Sequence, residues 1–191
     1  MDDTDAVLLD LFDRVHQAIP PLVDGLTREQ LQWAPTSDAN PIAWLVWHLC
    51  RVEDDHLAGV VDRDQVWTGG GWDQRFALPF APGDIGYGQT AAQVRQVPGD
   101  AELLVGYAAA VADRARQILG GLTDADLARV VDERWDPPVT GAVRIVSVAN
   151  DITQHLGQAA YVRGILPASG LPRTRRRSGS GRPPGSGRTS D

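Results

Sequence analysis

The chain has 191 residues, an ordinary apolar share and a single cysteine, Cys50, which predicts one domain without an internal disulfide in a reducing cytoplasm. No apolar run reaches the roughly 18 residues of a membrane span, and the acidic start Met1-Asp2-Asp3-Thr4-Asp5 lacks the basic segment of a secretory signal. The net charge is −7; residues 171–191 hold six arginines and one aspartate, so the rest carries −12, and so acidic a body argues against a nucleic-acid partner.

Residues 5–24 read as a helix, with Leu8, Leu9, Phe12, Val15, Ile19 and Val23 at steps of three and four. Pro20 and Pro21 fall inside that pattern and predict a kink or break. Gly25-Leu26-Thr27 then marks a stop and a new start, since Thr27 with Gln30 makes a capping box for a short helix over 28–32. Asn40-Pro41 opens a long helix to about Val61, with Asn40 as N-cap and Pro41 as first helical residue.

Residues 62–99 are rich in glycine, proline and tryptophan. They predict a long connection with at most a short helix at Thr90–Gln96, and loops of that length often carry function. A third long helix fits 100–119. The turn Gly121-Leu122-Thr123 repeats Gly25-Leu26-Thr27 and again precedes a short helical start. After Pro137-Pro138 a fourth long helix runs from about Gly141 to Ile165.

The order is therefore long helix, Gly-Leu-Thr turn, short helix, linker and long helix, used twice. It predicts an all-α four-helix bundle in two similar halves, joined by the 62–99 crossover. No stretch alternates well enough to demand a sheet. The domain should span 1–168. The Arg/Gly/Ser/Pro-rich segment 169–191 cannot bury apolar surface and is expected to be disordered, either a solvated extension or a basic arm. The lack of any lysine fits a high-GC coding bias and an actinobacterial source rather than a function.

Asp151 and His155 stand four apart, so they share a helix face and can chelate one ion. Gln158 extends the same face, and His48 lies on the second long helix. Two histidines and a carboxylate from two helices could close on one divalent metal and leave positions open for a ligand. The same spacing also arises from an ordinary surface pair. The apolar surroundings of both, Trp44-Leu45-Val46-Trp47-His48 and Ile145 to Ile152, favour an inward face.

His16 and His56 sit among polar residues and read as surface positions, and Cys50 as a small buried apolar residue. Arg51 reads either as an anion clamp or, more simply, as a partner of Asp54 or Asp55. Trp67 and Trp72, in the crossover, are candidates for a pocket or lid, whereas Trp44 and Trp47 read as core. A Ser147, His155 and Asp151 triad lacks the strand-turn-helix elbow that would expose a serine.

The stretches Asn40–His56, Trp72–Pro79 with Gly86-Tyr87-Gly88, and Asp151–Gly164 resemble the DinB-like four-helix metalloprotein superfamily, over about residues 5–166. They are most similar to its actinobacterial branch of unknown function, labelled DUF664. The resemblance implies a divalent ion held by a histidine of the second helix and two residues of the fourth, here His48, Asp151 and His155. Asp151 stands where a histidine is common. The ion implied is zinc, nickel, iron or manganese.

Characterised relatives include thiol-dependent transferases and isomerases. The resemblance thus implies a metal-dependent S-transferase that uses a low-molecular-weight thiol such as mycothiol on small electrophiles. Gln158 and Arg51 would support the site, and relatives often pair as homodimers. The alternative is a non-enzymatic or degenerate bundle that binds a small ligand or a protein partner.

Overall fold

The computed structural model describes residues 3–166. Helix α1 (Asp3–Val23) runs through Pro20 and Pro21 without the expected break. Each proline withdraws only its own N–H, so two bonds are lost near the end of α1, where only Leu22 and Val23 follow. The Pro20 carbonyl still accepts from the Asp24 N–H at 3.0 Å. Gly25, at φ +70°, turns the chain. Thr27 and Gln30 then cap α2 (Arg28–Leu31) reciprocally, with Gln30 Oε1 accepting from Thr27 N at 2.8 Å.

Helix α3 (Ile42–Val61) begins after Pro41, which is itself the N-cap, one residue later than the Asn40 cap expected. Its side chains are buried without interruption from Ile42 to Asp54. Such a helix must be covered on nearly every side. The crossover carries three short helices, α4 (Val66–Gly69), α5 (Trp72–Phe76) and α6 (Ala91–Val94), of which α4 packs on α3 and α5 on α4 and α7.

The second half repeats the plan. Asp100 caps α7 (Ala101–Leu119), and Thr123 with Asp126 forms the capping box of α8 (Asp124–Ala128). A small antiparallel ribbon follows, β1 (Val130–Asp132) with β2 (Val139–Thr140), before α9 (Gly141–Gly164). No strand is expected here from the sequence. Segments of three and two residues are too short to show alternation.

Helix α3 packs on α9 and α7, and α1 packs on the same two, so the four long helices close a bundle. Phe12, Val15 and Ile19 of α1, Leu45 and Leu49 of α3, Tyr107 and Val111 of α7, and Val148 and Ile152 of α9 fill its centre. No described helix is long and apolar enough to cross a membrane. The arginine-rich tail and the 168/169 boundary lie outside the described residues.

His16 corrects an expectation. It is buried rather than at the surface, and its Nε2 lies 2.9 and 3.0 Å from the two carboxylate oxygens of Glu53. The pair joins α1 to α3 through the bundle interior. His56 is half-buried, its Nδ1 3.0 Å from Asp55. Local polarity misled because Glu53-Asp54-Asp55 is itself turned inward by partners supplied from other elements.

Candidate metal centre

Helices α3 and α9 present their site residues to each other. His48 comes from the buried run of α3, and Asp151 and His155 lie one turn apart on α9. One ligand atom from each of the three falls within 4.8 Å of the others, the single such group of three or more His, Cys, Asp or Glu side chains among the described residues. Ligands about 2.0–2.2 Å from one ion sit roughly 3–3.6 Å apart, so a small contraction would complete the grouping.

The imidazoles are oriented for this. His48 Nδ1 donates to the Ile85 carbonyl at 2.5 Å, which leaves Nε2 with its lone pair. His155 Nδ1 donates to Gln158 Oε1 at 2.9 Å, and its Nε2 stands 3.6 Å from Asp151 Oδ2. A hydrogen bond on the far nitrogen is what fixes the tautomer and angle of a ligating histidine. Asp151 Oδ1 is buried and has no hydrogen-bond partner among the described residues. A buried carboxylate oxygen without a donor is costly unless a cation meets it. The donor set therefore fits a divalent ion.

The two imidazoles are shifted in opposite directions. Burial pushes the His48 pKa down against the raising effect of the Ile85 bond, which favours the uncharged ring. Burial also presses on His155, but its contacts with Asp151 and Gln158 outweigh that and raise it. At the rings, Trp44 stacks on His48 at 4.4 Å and meets His155 edge-on at 6.2 Å. Tyr87 places its ring at 5.3 Å from His48, nearly perpendicular. Burial and then Asp151 raise the Tyr87 phenol pKa.

The crossover reaches the site through a tied loop. Gly86 N donates to Asp84 Oδ1 at 2.8 Å, Gln89 Nε2 donates to Asp84 Oδ2 at 3.2 Å, and Trp44 Nε1 donates to Gln89 Oε1 at 2.8 Å. Gly86 has φ +106°, and a Cβ there would fall 2.7 Å from His48 Nδ1. Only glycine lets this backbone lie so close to the ring.

The other candidates are placed elsewhere. Arg51 is 0% exposed and is no clamp for a solvent-borne anion. It lies 3.6 Å from Asp54 and donates to Gln65 Oε1 at 3.1 Å. Asp54 accepts from Val66 N and Trp67 N, both at 2.7 Å, and from the Tyr107 hydroxyl at 2.9 Å. Burial nevertheless raises the Asp54 pKa. This cluster moors the crossover to α3 and α7.

Trp67 is 3% exposed and, with Trp47 and Phe80, lines a cavity of about 180 Å³ on the crossover side. Trp72 packs on Tyr107 with the Arg75 guanidinium 4.4 Å from its ring, so it serves the α7 contact. Neither tryptophan forms a ring contact with His48 or His155, the part taken instead by Trp44 and Tyr87. The sequence signal for Tyr87 was its place between two glycines, both at positive φ.

A family model described as the DinB superfamily matches residues 11–159. Among solved structures, a crystal structure of a conserved protein from Enterococcus faecalis is similar, with 28% identity and a TM-score of 0.78. The similarity covers 85% of this chain and 96% of that one. No curated protein matches the chain.

Proposed function

The chain belongs to the DinB superfamily, and on that premise we propose that His48, Asp151 and His155 hold one divalent metal ion with coordination positions left for a small ligand. The observation that carries this reading is the buried Asp151 Oδ1, without a partner among the described residues, in a group whose two imidazoles have their far nitrogens already committed. Two nitrogens and one oxygen, with ligand charge −1, suit zinc, nickel, iron(II) or manganese.

The finer reading is thiol transfer to small electrophiles. A bound divalent cation would supply the charge that holds a low-molecular-weight thiol, such as mycothiol, as its thiolate near neutral pH. The chain's own residues then have defined tasks. Ile85 and Gln158 hold the two imidazoles in their ligating tautomers, Asp151 offsets part of the ionic charge, and Trp44 forms an apolar wall beside both rings. The support for a thiol is the resemblance of Asn40–His56, Trp72–Pro79 and Asp151–Gly164 to the DinB-like superfamily, whose characterised relatives include thiol-dependent enzymes.

The test uses protein purified without a metal-chelating tag, reconstituted with each metal in turn. Mycothiol and monochlorobimane are added and conjugation is followed by fluorescence. A rate above background that disappears in His155→Ala is expected. No rate with any metal overturns thiol transfer and leaves a metal-binding bundle with other chemistry.

A further inference from the structure

We infer that Tyr87 is a substrate-contacting residue, its phenol O–H donating a hydrogen bond to the small anion on the open side of the centre formed by His48, Asp151 and His155. The inference rests on the metal reading above and assigns the group that recognises the ligand.

Tyr87 is presented by a loop with little freedom. Ile85 is bonded to His48, Gly86 to Asp84, and Gln89 to both Asp84 and Trp44. The glycines on either side, at φ +106° and +71°, make the sharp turn that carries the residue over the histidine. Within this tied frame the Tyr87 side chain is 61% exposed, and its hydroxyl takes no part in the bonds that hold the loop among the described residues.

The polar groups bordering the three ligands divide cleanly. The Ile85 carbonyl and Gln158 are already bonded to the two imidazoles, and the Trp44 indole N–H to Gln89. Tyr87 lies among the same groups, with its ring against His48 and its phenol in the field of Asp151, Arg144 and Asp55. A neutral phenol is a donor beside an acidic cluster. It can serve a ligand that carries a second acceptor atom besides the one that binds the metal. Carboxylates, acyl thiolates and, as the simplest probe, azide have that form.

The experiment titrates azide into Co²⁺-loaded full-length protein and follows the visible absorption of the ion, for wild type and Tyr87→Phe. The phenylalanine keeps the ring contact with His48 and removes only the hydroxyl. We expect Tyr87→Phe to bind Co²⁺ as the wild type does and to bind azide about tenfold more weakly, the effect of one hydrogen bond to a charged group. Equal azide affinity in the two proteins overturns the inference alone. A drop in Co²⁺ affinity matching the azide loss also overturns it, since the hydroxyl would then be supporting the ligands. Failure of the wild type to take up Co²⁺ overturns the metal reading and this inference together.

Discussion

His48 donates its Nδ1–H to the Ile85 carbonyl at 2.5 Å, which makes the crossover between the two helical halves a part of the candidate metal centre. The next residue, Gly86, leaves no room for a side chain, because its Cβ would stand 2.7 Å from the same nitrogen. Gly86→Ala should therefore push the loop away, free His48 to rotate, and weaken metal binding. Loss of a supporting bond of this kind typically costs about 10–100-fold in affinity. A competitive chelator titration measures it. Gly83→Ala, where a Cβ meets nothing within 4 Å, is the control and should bind as the wild type does.

The His16–Glu53 pair has side chains 5% and 0% exposed. A carboxylate in that position is stable only while its partner remains, so His16→Ala should destabilise the fold by about 3 kcal/mol or more. Replacing both, as in His16→Leu with Glu53→Met, should recover much of the loss because no polar group is stranded. Urea denaturation of the single and double variants checks this. Equal loss in both would show that a stranded buried charge does not set the cost.

Asp132 ties β1 to α9. Its carboxylate accepts from the backbone N–H, Nε and Nη2 of Arg134 and from Arg144 Nη2, at 2.9–3.0 Å. The Arg134 contacts, led by its side chain, hold the Asp132 pKa far below the usual carboxylate range. A depressed folded pKa means a contribution that is present above the unfolded value of about 3.9 and lost as pH falls through the folded one. Asp132→Asn should therefore be less stable than wild type at pH 7, and the gap should close as pH drops below about 4. Thermal melts of both proteins across that range test the sign.

The bundle was legible because each long helix announces itself by spacing and each short one by its cap. Thr27 with Gln30 and Thr123 with Asp126 form the boxes that their sequences imply. The grouping of His48, Asp151 and His155 was also readable, since an i, i+4 pair and an apolar-flanked histidine are local patterns. Contacts made by the crossover were not. For Arg51 the local pairing with Asp54 was readable, but its enclosure by Gln65 and Tyr107, from other elements, was not. His16 looked solvated until Glu53 faced it from another helix. Tyr87 and the Ile85 carbonyl meet His48 only because the loop folds back, and no periodicity records that.

The most direct measurement is the metal content of protein purified without a chelating tag, by mass spectrometry, for wild type and His155→Ala at matched purity and folded state. The account predicts about one divalent ion per chain in the wild type and a small fraction of that in the variant, since removal of one of three ligands leaves too few to hold it. Wild-type protein that takes up no divalent ion even when one is supplied, or a variant that retains it fully, would contradict the account.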